Sequence, residues 1–126
     1  MALANAITTE DAESMAELSS NFLAVHSRGR IVLLKTAEID FIEADGNYVA
    51  IHASRECYLV RETMAELERR LAPARFVRIH RSTIVNLARI KEIHPWFHGH
   101  HVVVLSTGDR LRLSRYQRSK LAFLFP

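Results

Sequence analysis

Arg75-Phe-Val-Arg-Ile-His-Arg-Ser-Thr-Ile-Val-Asn-Leu-Ala-Arg-Ile-Lys91 decides how the rest of the chain is read. It holds five basic side chains (Arg75, Arg78, Arg81, Arg89 and Lys91) and His80, with no carboxylate among them. Phe76, Val77, Ile79, Ile84, Val85, Leu87 and Ile90 supply apolar material for two buried strand segments, interrupted near His80-Arg-Ser-Thr83. Such segments turn their greasy side chains inward and their cations outward. Cations that no neighbouring acid neutralises call for an external polyanion, of which nucleic acid is the commonest.

Upstream, the hydrophobic period is also that of strands. Phe22–His26 and Ile31–Lys35 flank Ser27-Arg-Gly-Arg30, a hairpin with Gly29 at positive φ. Glu38–Ala44 and Asn47–Ala53 flank the turn Asp45-Gly46, and Cys57–Arg61 follows a short polar link. One helix then interrupts the strands. Thr63 and Glu66 have capping-box spacing, Met64, Leu67 and Leu71 form its buried stripe, and Pro73 stops it.

Downstream of the basic stretch, Ile90–Trp96 and His101–Ser106 read as strands joined at Phe97-His-Gly-His100. Thr107-Gly-Asp109 turns the chain into Arg110-Leu-Arg-Leu-Ser114. Ser114 and Gln117 again have capping-box spacing, so a short helix ends the chain. Arg110–Lys120 adds five cations and no acid. With Ser114 as the cap, Arg115 stands where free N–H groups and the positive end of the helix dipole face outward.

The chain has 126 residues, 48% apolar and 25% charged, which is one soluble domain's worth with length to spare for an arm. No apolar run approaches the roughly 20 residues of a membrane span, and the N-terminus lacks the pattern of a secretory signal. A single cysteine, Cys57, allows no internal disulfide and suits a reducing cytoplasm. In its strand it reads as a small hydrophobe. The net charge of +3 hides an asymmetry: residues 1–27 carry four acids and no Lys or Arg, whereas residues 28–126 carry 17 bases and 10 acids, a net of +7. Residues 1–21 read as an acidic arm or linker, helical from a cap at Thr8 with a thin stripe of Met15, Leu18 and Phe22, and residues 22–126 as the basic domain.

Three sets of residues resemble the LytTR family of bacterial DNA-binding domains. They are Ile39–Val49 with Tyr58–Met64, the pattern F-x-R-I-H-R-S-x-I-V-N over Phe76–Asn86, and G-x-x-L-x-x-S-R over Gly108–Arg115, continuing to Tyr116. The resemblance implies a mainly β fold: an elongated antiparallel domain in small sheets, with one intervening helix and a short C-terminal helix. It further implies sequence-specific binding of double-stranded DNA, with loops rather than a recognition helix entering successive major grooves. Those loops would be the Asp45–Tyr48 tip, the segment at His80-Arg81-Ser82, and the turn at Ser114-Arg115-Tyr116. Arg81 and Arg115 are expected at base edges, because a guanidinium fork matches guanine O6 and N7. Asn47 is the third expected reader. Arg78, His80, Ser82, Arg89, Arg112, Tyr116 and Arg118 are expected at the DNA backbone, which fixes position without reading sequence. Asn86 reads as a turn cap, His80 equally as a loop brace, and Glu43 and Tyr58 as architectural.

Family members usually bind tandem repeats as two copies and are often joined to a receiver domain. A homodimer on DNA, RNA polymerase and an upstream receiver or sensor are therefore the expected partners in transcription regulation by a two-component response regulator. The first 21 residues are too few for a receiver, so the chain is read either as acting alone or as a fragment. No cofactor is implied. His94, His98, His100 and His101 invite a metal reading, but His100 and His101 would face opposite ways and no Cys or carboxylate joins them. Ser82 lies near His80 without a nucleophile elbow, phosphate loop or acid pair, so no enzyme is expected. RNA binding, or protein interaction by a basic β-domain, is the alternative. RNA sheet readers usually stack bases on clustered aromatics, and those here are scattered.

Overall fold

The computed structural model describes residues 9–126. Helix α1 (Thr9–Asn21) runs directly into strand β1 (Phe22–Ser27), and β2 (Arg30–Lys35) returns beside it. Strands β3 (Ile39–Asp45), β4 (Tyr48–Ala53) and β5 (Glu56–Val60) form a meander, followed by α2 (Met64–Leu71). Then come β6 (Phe76–His80), β7 (Thr83–Asn86), β8 (Ile90–Pro95), β9 (His101–Leu105), β10 (Arg110–Leu113) and the single turn α3 (Arg115–Arg118). Every strand pairing among the described residues is antiparallel. They form a β1–β2 ribbon, a central sheet ordered β5-β4-β3-β7-β6, and a third sheet ordered β10-β9-β8. The fold is thus mainly β in small antiparallel sheets, as the sequence indicates. The cap expected at Thr8 lies outside the described residues.

The central sheet is covered on both faces. Leu23, Val25, Ile42, Ile51, Leu67, Leu71 and Ile84 form one core, beneath the β1–β2 ribbon and α2. Phe41, Ile79, Val85, Val103, Leu105, Leu113 and Leu121 form the other, against the third sheet and the C-terminal segment. Successive strand residues point to opposite faces, so Phe41 and Ile42, like Ile84 and Val85, serve different cores. The simple picture of apolar inside and cationic outside therefore fails at β7, where Thr83, Ile84, Val85 and Asn86 are all buried. The polar member is satisfied: Asn86 Nδ2 donates to the Ile39 carbonyl at 2.9 Å, and its Oδ1 accepts the Ala88 N–H at 3.0 Å. Asn86 is the expected turn cap and also ties β7 to the start of β3.

Turn chemistry sets the hairpins. Gly29 has φ +75°, following Arg28 at +54°, and the two form the loop between Ser27 and its partner Arg30. Two consecutive positive φ values match the twist of a two-residue hairpin. In the β3–β4 hairpin Asp45 pairs with Tyr48, so the loop residues are Gly46 and Asn47, one position later than the sequence suggests. Thr63 caps α2 by accepting the Glu66 N–H at 3.1 Å. Glu66 does not reach back as a capping box would; its carboxylate turns to Arg69 at 2.6 Å. Cys57 departs from expectation: β5 is an edge strand, and the thiol side is exposed rather than packed. No helix among the described residues is long and apolar enough to cross a membrane.

Candidate nucleic-acid interface

Strand direction gathers three loops at one end of the central sheet. β3 pairs with both β4 and β7, Glu43 lying opposite Ala50 on one side and Thr83 on the other. The Gly46–Asn47 turn and the His80–Thr83 turn are therefore neighbours, and the Ala44 N–H donates to the Ser82 carbonyl at 2.9 Å. The Ser114 N–H donates to the Ile79 carbonyl at 2.8 Å, which fixes the start of α3 beside the same turn. Asn47, Arg81, Arg112, Arg115, Tyr116 and Arg118 are all exposed there or on the adjoining segment.

His80, Arg81, His100, Arg112, Ser114, Tyr116 and Gln117 line one shallow cleft between the two turns. None of these side chains is a carboxylate. Both histidines use Nδ1 to hold backbone. His80 Nδ1 accepts the Ser82 N–H at 3.2 Å and lies 2.8 Å from the Ser82 hydroxyl. His100 Nδ1 accepts the Arg115 N–H at 3.0 Å. In the neutral ring the proton then sits on Nε2. Burial and the neighbouring guanidiniums of Arg112, Arg81 and Arg78 hold the His80 pKa below its ordinary value. Desolvation, with Arg112 and Arg115 nearby, does the same for His100. The cleft favours neutral imidazoles until an anion enters it.

The Ser114 hydroxyl accepts the Tyr116 N–H at 3.2 Å, so the cap is present although the reciprocal Gln117 contact is not. Arg115 donates to the Tyr116 hydroxyl at 2.9 Å, lies 4.9 Å from that ring's centre, and reaches the His98 carbonyl at 3.4 Å. The same hydrogen bond from Arg115 lowers the Tyr116 pKa. Arg112 lies 5.4 Å over the Trp96 ring and Arg118 4.5 Å over that of Phe125. These three guanidiniums rest on aromatic rings and have no anionic partner among the described residues, leaving their charge available to an external anion.

Two expected backbone contacts lie in different surroundings. Arg78 meets the Glu68 carboxylate at 3.2 Å and donates to the Arg81 carbonyl. Arg89 meets Asp40 at 3.0 Å and the Ala37 carbonyl at 2.8 Å, at the far end of β3 from the Asn47 turn. The absence of acids within the basic stretch thus concealed tertiary partners for both. Arg78 still braces the Arg81 loop, whereas Arg89 is not brought to it. Sequence reasoning also passed over His100, grouped with a histidine-rich tip; only its place just ahead of β9, whose His101 pairs with Leu113 at the end of β10, makes it a partner of Arg115. Its neighbour His101 packs edge-on against Phe125 instead. At the remote end of the sheet Cys57, though exposed, has its pKa raised by partial desolvation and by Glu43 and Asp45, the reverse of an activated thiol.

Residues 29–125 match the sequence model of the LytTr DNA-binding domain. The chain belongs to the LytTr family. This LytTr domain is 35% identical over 102 residues to the "Transcriptional regulatory protein LytR" of Staphylococcus aureus, covering 79% of the chain and 42% of that relative. It is 28% identical over 111 residues to the "Sensory transduction protein LytT" of Bacillus subtilis, covering 88% and 46%. The chain therefore spans less than half the length of these curated relatives. Among solved structures, a LytTr DNA-binding domain of a Bacillus cereus response regulator superposes with a TM-score of 0.73, covering 82% of this chain and 95% of that one at 23% identity. That likeness establishes the fold.

Proposed function

We propose that this LytTr domain binds double-stranded DNA in a sequence-specific manner and regulates transcription, its three gathered loops entering successive major grooves. The observation that carries the proposal is the cleft between the Arg81 and Arg115 turns: cations and imidazoles converge there without a carboxylate. Arg81 and Arg115 read base edges as bidentate forks and Asn47 reads from the neighbouring turn. Arg112, Arg118, Tyr116, Ser82 and the Nε2 of His80 hold phosphates. Arg78 acts by bracing the Arg81 carbonyl, and Arg89 leaves the contacting set.

One domain presents too small a set of readers for a genomic target, so two copies side by side on a direct repeat are part of this reading. The greater length of the relatives supports a receiver or sensor as a covalent partner, and regulation of transcription makes RNA polymerase the downstream one in this reading. Selection of bound duplexes from a random pool at near-physiological salt tests the core of it. A direct repeat with about one helical turn between half-sites is the expected product. Recovery of no motif, with retention that vanishes as salt rises, would overturn sequence-specific readout.

A further inference from the structure

We infer that the tip between β8 and β9, carrying Trp96 and Phe97, is a second DNA-contacting surface that packs on the sugar–phosphate wall beside the groove entered by Arg115. This rests on the proposed DNA reading and extends it to residues with no base-reading chemistry.

Trp96 is 47% and Phe97 69% exposed, although both are large apolar groups at a hairpin end where a polar turn would serve. They sit against each other with ring centres 5.8 Å apart. The tip is built to hold them in place. The Trp96 N–H donates to the His100 carbonyl at 2.9 Å, and the His100 N–H returns to the Phe97 carbonyl at 3.0 Å. His98 at φ +55° and Gly99 at +80° make the bend between them.

The tip is also continuous with the proposed reading turn. A Cβ on Gly99 would lie 3.6 Å from the Arg115 Cβ, and Arg115 reaches the His98 carbonyl at 3.4 Å. Arg112 covers the Trp96 ring. Residues 96–100 contain no acid, and the nearby Glu92 is engaged by His94 at 2.8 Å. An apolar knob flanked by the Arg112 and Arg115 guanidiniums fits a surface that is anionic at its phosphates and apolar at its deoxyribose faces. Duplex DNA presents both along the wall of each groove, which is why the occupant assigned here is DNA. The contact is independent of base sequence.

Trp96 is the chain's single tryptophan, so its emission reports on this tip alone. The full chain is titrated with a mixed-sequence duplex of roughly 30 base pairs at about 50 mM salt, where backbone contacts dominate. Anisotropy of a labelled duplex reports binding, and acrylamide quenching of Trp96 reports access to the tip. Trp96 should become shielded in the saturated complex. Phe97→Ala, with an unchanged melting temperature, should lose affinity on the order of fivefold to tenfold for any duplex, from the apolar contact removed. Saturated binding that leaves Trp96 equally quenchable and Phe97→Ala unimpaired would overturn the tip contact while leaving DNA binding by Arg115 intact. Absence of binding to any duplex would overturn both.

Discussion

The backbone N–H of Arg115 donates to His100 Nδ1 across 3.0 Å, so a histidine on one hairpin tip sets the first residue of α3. An acceptor at this position is needed, and a proton on that nitrogen removes it. His100→Asn, whose side-chain oxygen can replace Nδ1, should keep cognate DNA affinity, whereas His100→Ala should lower it with little change in far-UV circular dichroism. Equal loss in both variants would show that the ring, not the acceptor, is what matters.

The pH dependence follows from the same bonds. The pKa values of His80 and His100 are both depressed in the folded chain, chiefly by desolvation and then by the surrounding arginines. A depressed histidine means the unfolded chain takes up protons first as pH falls. Their contribution to stability is therefore complete above the ordinary histidine pKa of about 6.5 and is lost as pH drops through the folded values. Denaturant midpoints should fall between about pH 7 and 5. The double variant His80→Asn/His100→Asn should show a shallower fall across that window.

Base reading and backbone contact separate by their selectivity. Arg81→Ala and Arg115→Ala should each cost on the order of 1–3 kcal/mol on the selected site and relax discrimination at one position. Arg118→Ala should weaken cognate and random duplex alike and reduce the salt slope by about one unit. Fluorescence anisotropy on both duplexes over a salt series distinguishes the classes. Retained discrimination in the first two variants would mean that other side chains read the bases.

Much of this architecture was legible because local signals agree with it. Gly29 falls at the turn that needs positive φ, Thr63 at the α2 cap, and Asn86 where an amide must join two backbones. What stayed illegible depends on sheet order. Nothing adjacent in sequence reveals that Glu68 meets Arg78 or that Asp40 meets Arg89, since those pairs form only once β3, β7 and α2 are assembled. Strand period likewise says which face Cys57 occupies but not that β5 is an edge, and an edge strand can leave that face open. In the proposed site, the residue types were visible in Arg81, Arg115 and Asn47. The hydrogen bonds that hold their loops together (Ala44 to Ser82, Ser114 to Ile79, Arg115 to His100) are products of the fold.

Arg89 supplies the contrasting test, because its charge is of the same kind and its surroundings are not. It meets Asp40 at 3.0 Å, where the carboxylate side chain retains only 13% of its exposure, and donates to the Ala37 carbonyl. Removing the guanidinium leaves a largely covered carboxylate without its cation and a carbonyl without its donor. Arg89→Ala should therefore lower unfolding free energy by about 1–2 kcal/mol, above the median of an exposed pair because Asp40 is partly desolvated. DNA affinity and salt slope should stay at their wild-type values. Arg89→Lys should recover part of the stability, since an ammonium restores charge but not the fixed fork that serves two acceptors at once. Urea titrations paired with anisotropy measurements decide the matter: a fall in DNA affinity without a fall in stability would return Arg89 to the interface, and the far end of the sheet with it.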